Sequence, residues 1–336
     1  MILETHNLSI GYRRRRHETV IATGLDLTLQ AGELVCLLGP NGAGKSTLMR
    51  TLAGMQPPLA GQVRLDGEDI GTLRPQVVAK KLSVVLTEQV HAGLLSAYAL
   101  IALGRYPHTD WRGTLSAADE VIVQDAIDAV GVVPLAARPV SQLSDGERQK
   151  VMIARALAQQ PKLMLLDEPT AFLDLPRRVE IMQILRRLAY SRQRAILLST
   201  HDLDLALRSA DTLWLLSEGK LYIGAPEDLV LSGLFAEAFA SEGVTFDIHS
   251  GAFEVQQASS GGIDLIGDGI RAHWTARALQ RIGYEVHSGR NGHLYTVTCM
   301  NDHWYLQRQQ ASTSDDASTR HDSLSSLLDT LRDYAP

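Results

Sequence analysis

Gly39-Pro40-Asn41-Gly42-Ala43-Gly44-Lys45-Ser46 stands between an apolar run, Leu34 to Leu38, and a segment of helical spacing. Glycines there let consecutive backbone N–H groups converge on one anion, and a helix starting directly behind them turns its positive end toward the same point. A lysine and a hydroxyl at that end suit a polyphosphate: Lys45 reaches its terminal oxygens and Ser46 ligates Mg²⁺. The segment fits GxxxxGK[ST] in the strand-to-helix context that the motif requires, which leaves little room for a plain glycine-rich turn. A second group, Asp167-Glu168, ends the apolar run Leu163 to Leu166. Strand ends line the ligand crevice of an open α/β sheet, so Asp167 can enter the Mg²⁺ shell while Glu168 polarises an attacking water.

Between these two lies Leu143-Ser144-Asp145-Gly146-Glu147-Arg148-Gln149, opening a helical pattern that continues through Val151, Ile153, Ala154 and Leu157. Ser144 and Glu147 have the S-x-x-E spacing of a capping box, and the helix start is itself an anion site; both uses are compatible. With this third motif the sequence resembles the nucleotide-binding domains of the ATP-binding cassette (ABC) family over about residues 1–240. The resemblance implies a homodimer of cassettes with two ATP and Mg²⁺ sandwiched at its interface. Each site would comprise residues 39–46 with Thr47 of one cassette, and Ser144, Asp145, Gly146 and Glu147 of the other. It implies an adenine-stacking role for Tyr12, which as an isolated tyrosine after Gly11 is equally a strand-end surface residue. His201, in Ser199-Thr200-His201-Asp202, matches the switch histidine at the γ-phosphate, beside the catalytic Glu168 and Lys45. Asp174 matches the aspartate that communicates across the dimer. The glutamine that senses both Mg²⁺ and the membrane partner falls on Gln89, or by strict count from its strand on Thr87. Asp145 departs from the family, which commonly has glycine there, and brings a carboxylate toward a partner's phosphate. Gly104-Arg105-Tyr106-Pro107-His108 resembles the subfamily that takes up ferric siderophores, haem and cobalamin; physically it is a helix-ending turn with Pro107 as terminator.

These residues need a scaffold. The runs Leu34 to Leu38, Leu82 to Leu86, Leu163 to Leu166, Ala195 to Ser199 and Thr212 to Leu216 are almost wholly apolar, as strands of a parallel sheet buried on both faces are. Residues 1–30 alternate instead, as antiparallel strands do, around a solvated arginine run from Arg13 to Arg16. The expected fold is an α/β P-loop NTPase of the ABC type. It has a mostly parallel core, an antiparallel N-terminal part and a helical subdomain at about 90–160. Residues 241–336 form a small α+β domain of their own, with strands near 263–266, 294–299 and 304–307, an Asn301-Asp302 turn, a Ser/Thr/Asp-rich linker from Ala311 to Asp322 and a last helix from Ser323 to Tyr334. Trp274, Tyr284, Tyr295, Trp304 and Tyr305 are its expected core, and His287, His293, His303 and His321 its surface. Gly267-Asp268-Gly269 lacks the third glycine of a dinucleotide motif and reads as a turn.

The 336 residues, 45% hydrophobic and 21% charged, suffice for two cores, and a net charge of −6 argues against nucleic acid as a partner. Cys36 and Cys299 share no metal-ligand spacing; Cys36 reads as core. No segment is apolar enough to span a bilayer and the first residues carry no secretory signal. A separate integral membrane permease is therefore the expected partner, with a periplasmic or extracellular substrate-binding protein acting indirectly, and the location is cytoplasmic, peripheral on the inner face of the cell membrane. One phosphate loop and one signature favour this importer subunit over a soluble regulatory or repair ATPase, which usually carries two cassettes in one chain.

Overall fold

The computed structural model describes residues 1–14, 17–86, 93–110, 112–240, 244–248, 251–255, 261–300, 302–309 and 318–334. The chain divides into two compact units, Met1–Ala240 and Ser241–Pro336.

In the first unit an antiparallel sheet joins His17–Leu25, Leu3–Arg14, Ala60–Leu65 and Glu68–Asp69, with Thr28–Leu29 also on Leu3–Arg14. The second sheet runs Lys220–Gly224, Thr212–Ser217, Leu34–Leu38, Ala195–Ser199, Leu163–Asp167, Leu82–Val85; every pairing is parallel except that of the outermost strand, Lys220–Gly224. All five residues of Leu34–Leu38 and all five of Ala195–Ser199 are buried, the reason both read as almost wholly apolar runs. Cys36 is among them, and burial pushes its thiol well above the ordinary range. Parallel pairing sends the carboxyl ends of these strands to one edge, where Gly39, Glu168 and Thr200 follow.

The helical subdomain packs Ala97–Ala102, Ala117–Val130 and Asp145–Ala158 together. Ser116 and Asp119 form the capping box that starts Ala117–Val130, and Gly131, at φ 77°, ends it. The expected turn at Gly104 to His108 is a 3₁₀ segment, Leu103–His108, with Pro107 inside it, and it does more than terminate a helix. Arg105 is buried: its Nε donates to Asp119 Oδ1 at 2.9 Å and its Nη1 to the carbonyl of Ala158 at 2.8 Å. Gly104 packs so closely on the Arg155 carbonyl that a Cβ there would lie 2.2 Å from the oxygen. Residues 104 and 105 thus lock the subdomain's helices together.

The second unit pairs the hairpin strands Val244–Asp247 and Ala252–Val255, and builds a five-stranded sheet in the order Tyr284–Ser288, Gly261–Ile266, Tyr295–Met300, His303–Arg308, Ser318–His321. Helices Gly269–Arg281 and Leu324–Tyr334 enclose its core of Ile263, Leu279, Val297, Leu306, Leu327 and Leu331. Three expectations need correction. Ser318–His321 is a strand paired with His303–Arg308, not part of a linker. Trp274 is 56% exposed, because its helix turns Ala272, Thr275, Ala278 and Leu279 inward and position 274 falls on the outer face. His321 is buried against Ser326, and His293 is engaged by a buried carboxylate, so neither is a plain surface residue. The Asn301 half of the expected turn, like Arg15 and Arg16 of the arginine run, lies outside the described residues.

That carboxylate is Asp264, 0% exposed on the strand Gly261–Ile266. Its Oδ2 accepts the backbone N–H groups of Asn291, Gly292 and His293 at 2.8, 3.0 and 3.3 Å, and Oδ1 accepts from His293 Nδ1 at 2.6 Å. Burial alone raises a carboxyl's pKa, but the His293 bond and the three amides outweigh it and hold Asp264 well below the usual carboxylate range. The bonds fasten residues 289–294, which carry the chain from Tyr284–Ser288 past Gly261–Ile266 to Tyr295–Met300. A folded-state pKa below the unfolded one contributes stability at neutral pH that drains away as pH falls below about 4. Asp264→Asn should therefore melt at a lower temperature than the wild type at pH 7 and lose less on acidification to pH 3. Circular dichroism melts at both pH values check this, and equal acid losses in the two proteins would contradict it.

Candidate functional site

Gly39 leaves the strand Leu34–Leu38 so close to the neighbouring strand that a Cβ would stand 2.2 Å from the Leu216 carbonyl oxygen. Gly44, at φ 106°, caps the helix Lys45–Leu52 and sits where a Cβ would meet Ile21 Cγ2 at 2.3 Å. Only glycine fits either position. The side chain of Lys45 curls back over the loop, its Nζ donating to the carbonyls of Gly39 at 2.8 Å and Pro40 at 3.2 Å. It is 7% exposed. Burial pushes the ammonium pKa down, while the carboxylates of Glu168 and Asp167 oppose that shift. Both carboxylates therefore lie within electrostatic reach of Lys45.

Asp167 is the last residue of its strand, and Glu168 turns off it with φ 51°. His201 Nε2 lies 2.7 Å from Glu168 Oε1. Tyr12, half exposed, has its hydroxyl 2.6 Å from Thr47 Oγ1, which occupies Thr47 with fixing the aromatic ring. Tyr12, Ile21, Asn41, Gly42, Gly44, Lys45, Ser46, Thr47, Glu168 and His201 line one cleft of about 290 Å³. An aromatic edge, a helix N-terminus carrying a lysine and a hydroxyl, and a carboxylate beside a histidine can together bind a nucleoside polyphosphate and activate water at its end. Ser46 and Asp167 offer the hard oxygen donors that Mg²⁺ takes.

Ser144, Asp145, Gly146, Glu147 and Asp174 are not among the residues of this cleft. Ser144 caps the helix Asp145–Ala158 in a capping box: its Oγ accepts from the Glu147 N–H at 3.3 Å and Glu147 Oε2 accepts the Ser144 N–H at 2.8 Å. Asp145 is paired with Arg148 one turn along, which offsets the charge that departs from the signature this segment resembles. Asp174 caps Leu175–Arg192 by accepting the Arg177 N–H at 3.0 Å. Gln89 and Thr87 lie outside the described residues.

Two side chains of the site escape a reading by motif. Ser199, 0% exposed, donates from Oγ to Asp167 Oδ1 at 2.6 Å and accepts the Glu168 N–H at 2.9 Å. Arg178 donates to the Leu173 carbonyl at 2.7 Å and to Asp202 Oδ2 at 3.3 Å, tying the segment after Glu168 to the segment of His201.

The strand, loop and helix around Lys45, at the carboxyl edge of a parallel sheet, place the molecule among the P-loop NTPases. Within that class, residues 22–171 match the ABC transporter family and residues 260–332 match the iron ABC transporter C-terminal domain. An uncharacterized ABC transporter ATP-binding protein of Methanocaldococcus jannaschii is 41% identical over 256 residues, 76% of this chain and 87% of that one. An iron(3+)-hydroxamate import ATP-binding protein of Bacillus subtilis is 38% identical over 218 residues, 65% of this chain and 79% of the relative. Among solved structures, a dimeric ATP-binding cassette in a post-hydrolysis state with ADP and Pi superposes with a TM-score of 0.58 at 26% identity, over 67% of this chain and 99% of that one. The chain belongs to the ATP-binding proteins of ABC transporters, and it is an ATPase.

Proposed function

We propose that this chain energises uptake of a ferric siderophore or a related iron chelate, working as a homodimer of cassettes beneath a separate membrane permease. The observation that carries the cargo is the iron ABC transporter C-terminal domain match over residues 260–332, in one chain with the ABC transporter match over residues 22–171. Among the described residues no helix is long and apolar enough to cross a membrane, in keeping with a permease on another chain.

In this reading Tyr12 stacks on the base, the amides of residues 39–46 cradle the phosphates, and Lys45 exchanges the Gly39 and Pro40 carbonyls for phosphate oxygens. Ser46 and Asp167 hold Mg²⁺, which when bound neutralises phosphate charge; Gln89 is the proposed third ligand. Glu168 orients the attacking water and His201 contacts the γ-phosphate. The Ser144 helix start of the second cassette closes the cleft, with Asp174 relaying between the halves. Closure moves the permease and hydrolysis reopens the pair. The substrate-binding protein that delivers cargo touches the permease and not this chain.

Deleting the chain from cells that use a ferric hydroxamate as their iron source should abolish uptake of the labelled chelate, and restoring it should restore uptake. Unchanged chelate uptake with loss of cobalamin uptake would overturn the cargo, and unchanged uptake of both would overturn the importer reading.

A further inference from the structure

Glu168 occupies a backbone conformation that a residue with a Cβ rarely adopts, φ 51°, at the residue immediately after a regular parallel strand. Its N–H bonds to Ser199 twice, to Oγ at 2.9 Å and to the main-chain carbonyl at 3.2 Å. Ser199 stands directly opposite Asp167 in the register of the two strands and is wholly buried. A serine hydroxyl has one proton to give, and it goes to Asp167 Oδ1 at 2.6 Å, which leaves a lone pair for the Glu168 N–H. One buried hydroxyl therefore orients the carboxylate of Asp167 and closes the turn that aims Glu168 at His201.

We infer that Ser199 is a positioning residue for hydrolysis, holding Glu168 in its strained turn and Asp167 in one rotamer; the inference rests on the reading of Glu168 as the residue that orients the attacking water. Alanine at 199 leaves the Glu168 N–H with only the longer carbonyl bond and deprives Asp167 Oδ1 of a donor. The backbone then relaxes toward the extended region and the carboxylate swings off line, a displacement of the kind that costs rate and not substrate affinity.

The test compares wild type, Ser199→Ala, Ser199→Thr, Glu168→Gln and the Ser199→Ala/Glu168→Gln double variant, full length, with ATP and Mg²⁺. Turnover, ATP dissociation constant and melting temperature are read for each. Ser199→Ala should lose roughly tenfold to a hundredfold in kcat with an ATP Kd within about threefold of wild type and only a small drop in melting temperature, the variant remaining folded. Ser199→Thr, which keeps the hydroxyl, should recover most of the rate. Because Ser199 acts through Glu168, the double variant should be no slower than Glu168→Gln alone. Wild-type kcat in Ser199→Ala beside an inactive Glu168→Gln overturns the role of Ser199 and leaves that of Glu168 standing. Parallel losses of affinity, melting temperature and rate, or an additive loss in the double variant, make Ser199 merely structural and overturn the inference. Wild-type turnover in Glu168→Gln overturns both readings.

Discussion

Glu168→Gln should bind ATP normally and hydrolyse it at least about a hundredfold more slowly, the scale on which general bases contribute. The amide is nearly isosteric with the carboxylate and still offers an oxygen to His201 Nε2, so the 2.7 Å contact and the cleft around it persist. What it lacks is the charge that pulls on a water proton. If hydrolysis is the step that separates two cassettes, the ATP-bound dimer should accumulate. Phosphate release and light scattering on a sizing column, with and without ATP and Mg²⁺, read the two effects together. A variant that stays monomeric with ATP at high protein concentration and still hydrolyses would dismantle the sandwich account.

Lys45→Ala acts earlier, on binding. Charge-assisted hydrogen bonds of the kind a buried ammonium makes to phosphate are worth about 1.5–3 kcal/mol, roughly a tenfold to hundredfold loss of ATP affinity. The folded chain should not suffer. Burial already pushes the Lys45 ammonium pKa down, so the nucleotide-free protein bears a desolvation cost that alanine removes. Wild type and variant should then melt at similar temperatures without ligand, while the rise in melting temperature that saturating ATP gives the wild type is clearly smaller in the variant. An equal ATP-induced rise in both proteins would show that Lys45 does not reach the phosphates.

Much of this site is legible in the sequence because its parts are local. A glycine-rich turn must be written in consecutive residues, and a carboxylate pair at a strand end is announced by the apolar run before it. The strands Leu34–Leu38 and Ala195–Ser199 are legible for a like reason, since burial on both faces leaves the runs Leu34 to Leu38 and Ala195 to Leu198 without a polar residue. What escapes is what depends on pairing across the sheet. Ser199 is an unremarked serine until strand register puts it opposite Asp167. Arg105 reads as part of a turn because its partners, Asp119 and the Ala158 carbonyl, come from two other helices of the subdomain. Asp145 reads as a misplaced charge until Arg148 is seen to pair with it. Trp274 shows the opposite failure: large aromatic side chains suggest a core, but helical spacing through Ala272, Thr275 and Leu279 puts position 274 outside.

The central claim is that the cleft at Lys45 is half of an ATPase site completed by a second copy of the chain. Phosphate release by the purified full-length protein, measured with ATP and Mg²⁺ over a wide range of protein concentration, tests it most directly. The account predicts turnover per chain that climbs with concentration as cassettes pair, and equimolar Lys45→Ala that pulls wild-type turnover down by forming mixed dimers. Turnover per chain that is constant from dilute to concentrated protein, and indifferent to added Lys45→Ala, would mean that a single cleft works alone.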